Sequence, residues 1–581
     1  MKASTEAAGG AAQSIIERRP VEAALRSCRQ GLIGIGVFSC IMNVLLLTGP
    51  FFMLQIYDRV LTSRSVATLV ALALLAVVLY LFYGLFEWIR SRLLARLGQA
   101  FDDDLAEIAF DNTATQRTGG PSAAGDLKAV QQFVSSPALA TLFDVPWFPF
   151  YLAIIFLLHP ILGLLGLFGA ALLIGIAVVS QAIAHRRNLQ AAEHASTEDL
   201  LMRASRQQVE PLQAMGMLGN VQQLWRGAHD RRVVVQTSAS DWQAMFSSTA
   251  KTLRLILQSA VLGLGAYLVI ANELSPGALI AASIIFARAL APIDQSIAQW
   301  RVITNAHQAY NRLKETLSVT AGHPDTSVLA LPEETLTVTK LSVAAPDGET
   351  VLMDETSFTL KAGDGLGIIG PSGGGKSSLI RGLLGLAPVL SGEVRLDGAT
   401  LDQWSKKQQG QFIGYLPQDI DLFPGTIAQN IARFDPNADG DTIVNAAKLA
   451  MVHELITQKP GGYEMLIGPG GIALSGGERQ RIALARAVYG SPFFVILDEP
   501  NSNMDALGES ALSQTINQLR KAGSIVIVVT HRATLLNDVN KLLQVANKHP
   551  VVFGDTKTVL ERLREMRQQA AANAGGLRVV E

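Results

Sequence analysis

The chain has 581 residues, of which 17% are charged and 49% apolar, with a mean hydropathy of +0.28, a balance that a wholly water-solvated protein does not need. Forty-eight basic residues against forty-nine acidic ones leave a net charge of −1, which excludes a protein that binds nucleic acid through bulk charge. The two cysteines, Cys28 and Cys40, exclude a disulfide framework and a cysteine-built zinc site.

Residues 1–31 form a polar arm with five Lys or Arg, after which residues 32–56 run for 25 positions without a charge. At 1.5 Å per residue that run crosses a hydrocarbon layer of about 30 Å, and it is too long for a cleaved signal core. Residues 66–86 supply a second span. Residues 145–184 are 40 uncharged positions with His159-Pro160 near the middle, which predicts a helical hairpin of two spans. Residues 255–272 and 278–298 give a fifth and a sixth, the last containing Arg288 and Asp294. Lys and Arg number five in 1–31, five in 87–144 and nine in 185–254, against two in 57–65 and none in 273–277, so both ends and the long connections are expected on the cytoplasmic side.

Those long connections read mostly as helix, which predicts that spans two to five continue well beyond the bilayer, with short helices around 131–142 and 210–218 at the stalk tips that transmit movement. Arg288 either lines a route through the bundle or is structural, bonding carbonyls or pairing with a carboxylate such as Asp294. Residues 321–333 collect helix breakers and read as a linker, and from 334 to 560 short apolar runs alternate with helical stretches, the pattern of a largely parallel α/β sheet. Residues 561–581 read as a helix end and a frayed tail. The fold class is thus a multidomain membrane protein, a six-helix transmembrane bundle followed by an α/β domain.

Gly370-Pro371-Ser372-Gly373-Gly374-Gly375-Lys376-Ser377, continued by Ser378, follows a strand and opens a helix. Glycines at that spacing let successive N–H groups face an anion, Lys376 neutralises the β and γ phosphates of a nucleoside triphosphate, and Ser377 ligates Mg²⁺. Phe493-Phe-Val-Ile-Leu-Asp498-Glu499 is an apolar strand that ends in two carboxylates, Asp498 to hold the magnesium and Glu499 to orient or deprotonate an attacking water. Leu474-Ser475-Gly476-Gly477-Glu478 places a second set of N–H donors at a helix start, either an ordinary capped helix or a cradle for the γ phosphate held by another subunit.

With these elements in order the sequence resembles the ATP-binding cassette superfamily. The resemblance implies ATP and Mg²⁺ as ligands, Gln418 as the lid glutamine that also reaches the metal, Asp505 as the D-loop acid, His531 as the switch histidine, and a head-to-tail pair of cassettes with Ser475 of one copy facing Lys376 of the other. In the membrane half, Ile56-Tyr-Asp-Arg-Val-Leu-Thr-Ser-Arg-Ser, Phe143-Asp-Val-Pro-Trp, Leu158-His-Pro, Ala214-Met-Gly-Met-Leu and Arg288-Ala-Leu-Ala-Pro are similar to the PrtD-type exporters of bacterial type I secretion. That similarity implies a homodimer in the bacterial inner membrane with cytoplasmic ATPase domains, a periplasmic adaptor, an outer-membrane channel, and unfolded protein cargo with a C-terminal signal. A lipid or drug exporter of the same architecture, or an ATP-gated channel or sensor, are the other readings of the same elements. Residues 336–353 lack the aromatic on which most cassettes stack adenine, and the stretch before Leu474 lacks the acidic residue often found there.

Overall fold

The computed structural model describes residues 20–115, 122–320, 329–468, 474–502, 504 and 506–575. The chain divides into two compact units between His323 and Pro324. Asp505, residues 469–473 and most of the linker lie outside the described residues.

The first unit is helical, and among its described residues six segments are long and apolar enough to cross a membrane. The first is built from α1 (Arg29–Leu45), α2 (Thr48–Gln55) and a π-helical turn (Ile56–Val60), and it stops at Arg64, whose φ of 54° is left-handed. The second is α3 (Val66–Thr115), 50 residues in one helix and so about 75 Å long. The chain then passes through α4 (Ala123–Val134), α5 (Pro137–Asp144), a 3₁₀ turn (Val145–Trp147) and α6 (Phe148–Leu158). Next come α7 (Pro160–Gln207), the short α8 (Val209–Ala214), α9 (Leu218–Ile270) and α10 (Pro276–Thr320).

Spans two, four and five therefore run on as single helices, and so does the sixth, while the third does not. Pro137, Pro146 and Pro149 each lack the N–H that a continuous helix needs, and the segment leading into span three is broken accordingly. The expected tip helix at 131–142 is corrected by the same geometry. Ala124 N donates to Thr113 Oγ1 at 3.1 Å, so the chain reverses between Thr113 and Ala124. A Cβ built on Gly98 would meet Gln131 O at 3.1 Å and Ser135 Oγ at 2.0 Å, which puts Gln131 about 25 Å back along α3 from its end. Around 210–218, α8 does stand at the reversal between α7 and α9, and Glu198 of α7 clasps His229 at 3.0 Å and Arg232 of α9 just behind it.

Apolar surface is unevenly shared in this unit. In its most apolar stretch α3 has 6% of residues buried, against 61% for α10, so α3 needs lipid around it and α10 is the hub of the packing. Ala282, Ile285, Phe286, Ala289 and Leu290 of α10 pack against Ala170 and Leu173 of α7 and Leu257 and Val261 of α9. Small residues let the helices approach, and in lipid it is this van der Waals fit that holds them. A Cβ on Gly169 would come within 2.9 Å of Leu257 Cδ1, so a larger residue there would push the Leu257 side chain aside where α7 meets α9.

Polar residues tie the spans at chosen points. Arg90 of α3 reaches both oxygens of Asp144 at 3.1 Å and Ser39 at 3.0 Å; Asn43 donates to Asp144 at 3.0 Å and its carbonyl accepts from the buried Tyr151 hydroxyl at 2.8 Å. Asp58 accepts from Ser275 Oγ at 2.6 Å and from Gly277 N at 2.8 Å, capping α10 from the far end of span one. His159, between α6 and α7, lies 3.4 Å from Glu273 in the same short connection that leads into α10. Asp294 pairs with Arg254 at 3.6 Å and not with Arg288, which is exposed in the single chain.

The second unit has an antiparallel sheet in the order β2–β1–β4–β5, made of β1 (Thr335–Ala344), β2 (Val351–Lys361), β4 (Val389–Leu396) and β5 (Ala399–Thr400). Its main sheet has the order β12–β11–β3–β10–β9–β6, from β3 (Gly365–Ile369), β6 (Ile413–Leu416), β9 (Phe494–Asp498), β10 (Ile525–Val529), β11 (Lys541–Ala546) and β12 (His549–Asp555). A two-stranded pair, β7 (Gly425–Thr426) and β8 (Leu466–Ile467), lies apart from it. All but β12 are parallel in the main sheet, and every residue of β9 and β10 is buried, which is why both read as unbroken apolar runs.

Removing the Asp144 carboxylate leaves the Arg90 guanidinium unpaired inside the bundle at a cost of about 3 kcal/mol. Asp144→Ala is therefore expected to lower the unfolding temperature in detergent more than the paired change Arg90→Met with Asp144→Leu, as followed by tryptophan fluorescence on heating.

Candidate functional site

The strand β3 ends at Ile369 and the loop that follows is shaped by glycines the site cannot do without. A Cβ on Gly370 would stand 2.1 Å from Val545 O of β11, and one on Gly375, whose φ is 101°, would stand 2.8 Å from Leu352 O of β2. Gly373 also takes a left-handed φ of 75°. The loop runs without a side-chain cap into α11 (Lys376–Leu383), leaving the first N–H groups of the helix, at Lys376, Ser377 and Ser378, for an anion. Lys376 is 6% exposed, and its ammonium donates to Gly370 O at 2.8 Å and Pro371 O at 2.9 Å, so the positive charge is folded over the rim of the loop that carries Ser372 and Gly374.

Asp498 is the last residue of β9 and is 3% exposed. Burial pushes its carboxyl above the usual range; a hydrogen bond from Ser377 opposes that shift and the neighbouring Glu499 adds to it. Its Oδ1 is buried with no hydrogen-bond partner. A desolvated carboxylate oxygen with a free lone pair, beside a hydroxyl at the mouth of a phosphate loop, fits a hard divalent cation such as Mg²⁺.

Glu499 leaves the strand with a φ of 48°, its N–H donating to Val529 O at 3.1 Å. The left-handed turn directs its side chain toward residues that follow two other strands. Gln418 Nε2, two residues beyond β6, donates to Glu499 Oε2 at 3.0 Å, and His531 Nε2, two residues beyond β10, lies 3.5 Å from Oε1. Three residues from three separate strand ends thus meet around one carboxylate, a geometry that can aim a water and follow its proton.

Ser475 caps α12 (Gly476–Val488): its Oγ accepts from Glu478 N at 3.3 Å, while Glu478 Oε2 accepts from Ser475 N at 2.9 Å. Gly476 and Gly477 form the half-buried first turn. Among the described residues no hydrogen bond joins this cradle to the phosphate loop of the same chain. Two contacts here had no local signal in the sequence. Lys459 Nζ stands 2.7 Å from Glu478 Oε1, and both guanidinium nitrogens of Arg486 donate at 3.3 Å to Asp421 O in the loop that carries Gln418. Where an adenine-stacking aromatic is missing, Asp347 closes the β1–β2 turn, accepting from Glu349 N and Thr350 N at 3.0 Å; those backbone bonds hold its carboxyl below the ordinary range.

Residues 353–502 match the ABC transporter family and residues 32–292 the ABC transporter transmembrane region. The chain is 44% identical over 564 residues to the type I secretion system ATP-binding protein PrsD of Rhizobium meliloti (strain 1021), covering 96% of this chain and 97% of that protein. It is 27% identical over 548 residues to the alpha-hemolysin translocation ATP-binding protein HlyB of Escherichia coli, covering 90% of this chain and 75% of that one. In fold it is similar to a bacterial Atm1-family ABC exporter with ATP bound, with a TM-score of 0.77 over 95% of this chain and 99% of that one at 19% identity.

Replacing Lys376 by Ala removes the ammonium from the phosphate loop, and nucleotide affinity is expected to fall by one to two orders of magnitude, an interaction of about 1.4–2.8 kcal/mol. Titration of purified protein with a fluorescent ATP analogue checks this, and unchanged affinity would remove Lys376 from the phosphate contact.

Proposed function

The chain belongs to the ABC transporters, within the group of type I secretion ATP-binding proteins, and from that premise we propose how it works as an ATP hydrolase that drives protein export. The observation that carries the assignment is the 44% identity to a type I secretion protein across nearly the full length of both chains. The domains are 1–31 as a cytoplasmic arm, 32–320 as the transmembrane part, 321–333 as a linker, 334–560 as the ATPase, and 561–581 as the C-terminal helix end and tail. The protein sits in the inner membrane of a bacterium with the ATPase in the cytoplasm, and works with a periplasmic adaptor and an outer-membrane channel. Its cargo is an unfolded protein with a C-terminal signal.

Two copies close head to tail on two ATP molecules. In each site the N–H groups of residues 370–378 and the Lys376 ammonium hold the β and γ phosphates. Ser377, Gln418 and Asp498 would hold Mg²⁺, which supplies charge neutralisation at the phosphates when bound. Ser475, Gly476 and Gly477 of the opposing copy close over the γ phosphate, with Asp505 lining the join. Glu499 aligns the water, and its hydrogen bond from Gln418 and its contact with His531 make its position depend on both the lid and the switch strand. Closure lowers the free energy of the paired cassettes and turns the bundle outward; hydrolysis separates them and resets it.

Glu499→Gln keeps the shape of the site and loses the carboxylate. Turnover is expected to fall by at least a hundredfold while ATP-dependent pairing, read by crosslinking or size, persists; normal turnover in that variant would reject the role. Copurification of the trapped variant identifies cargo and adaptor. Stimulation of hydrolysis by amphiphiles, and not by a C-terminal cargo peptide, would move the assignment to lipid or drug export.

A further inference from the structure

The cradle at Ser475 contains a charge of the wrong sign. Glu478 sits three residues into the motif and folds back on Ser475 N, which places a carboxylate within one turn of the N–H groups of α12. On the reading above, those groups receive the γ phosphate of the opposing copy. A carboxylate there repels the phosphate and cancels part of the field that the helix terminus supplies.

Lys459 stands against that charge. Its ammonium is 2.7 Å from Glu478 Oε1, and the two side chains are 19% and 21% exposed, so the pair is largely shielded from water. It is presented by a fixed turn: Lys459 N donates to Ile456 O at 3.1 Å, Gly462 N donates to Lys459 O at 3.0 Å, and Gly461 and Gly462 take φ of 85° and 54°. Burial alone would raise the Glu478 carboxyl; Lys459 and the Ser475 N–H outweigh it and hold the group below the usual carboxylate range. Glu478 is thus kept ionised as the clamp on Ser475.

We propose that Lys459 is a positioning residue for ATP hydrolysis: by neutralising Glu478 it allows a carboxylate to hold Ser475 without opposing the incoming triphosphate. The proposal rests on the two-copy site described above. It makes Lys459 dispensable wherever position 478 is uncharged, since a glutamine can accept the same bond from Ser475 N without the charge.

The test uses the full-length protein in lipid nanodiscs with three variants, Lys459→Met, Glu478→Gln and both together. Lys459→Met is expected to raise KM for ATP on the order of tenfold with a smaller loss in kcat, the effect of about one unit of electrostatic coupling. Glu478→Gln removes the charge and keeps the acceptor, so adding Lys459→Met to it is expected to change KM by no more than about twofold relative to the Glu478→Gln protein itself. A Lys459→Met protein with normal KM overturns the proposal, and so does a defect that Glu478→Gln fails to rescue, which marks the ion pair as a fold contact. Pairing of the Glu499→Gln protein is measured alongside: if it pairs with ATP while Lys459→Met is normal, only the role of Lys459 fails, and if it does not pair, the two-copy site fails and takes that role with it.

Discussion

To hold a cation as proposed, Asp498 has to be dry enough to grip it and ionised enough to bind it, and the arrangement of the second unit meets both demands. A strand buried on both faces delivers the carboxylate to the edge of the core, and burial there raises its pKa. The Ser377 hydroxyl from the neighbouring helix start offsets part of that cost. A second carboxylate beside it would make ionisation harder still, and the left-handed turn at Glu499 is the local answer. A non-glycine residue at such φ costs about 1 kcal/mol or more, but it sends the two acids in different directions, one to the metal position and one to Gln418 and His531. Each of those partners comes from beyond a different strand, so the site can be complete only when β6, β9 and β10 are in register.

The first unit solves a different problem. Lipid gives no hydrophobic gain for bringing helices together, so α10 is packed by small residues and tied by a few polar contacts. The Arg90, Asp144, Asn43 and Tyr151 group links spans one, two and three at one level, and Asp126 does similar work farther out by gripping Arg312 near the end of α10, Nε to Oδ2 at 3.0 Å. Asn43 and Asp144 stand in or beside apolar runs that carry no local sign of a partner, and each is a joint between helices.

What the sequence revealed was what depends on near neighbours. The phosphate loop, the carboxylates at the end of β9 and the charge-free spans are contiguous patterns whose physical cause is local. Span three was misjudged because Pro137, Pro146 and Pro149 interrupt a stretch otherwise helical in composition, and the reversal point was misplaced because helix pairing fixes it, as the Ala124–Thr113 contact does. A pair with Asp294 is one of the structural options that the sequence leaves open for Arg288. Six residues on a helix leave side chains roughly 120° apart, and Asp294 turns instead to Arg254 on α9. Lys459 and Glu478 belong to no periodic pattern at all, and only the folded turn brings them together.

The short turn at residues 273–277 is the knot at its end of the bundle. Through Ser275 and Gly277 it holds Asp58, and through Glu273 it meets His159, so the connections between spans one and two, three and four, and five and six are laced to one another within a single subunit. A mouth wide enough for a polypeptide cannot be cut through that lacing without leaving the Asp58 carboxylate bare. The three connections at that end are therefore held to travel as one piece.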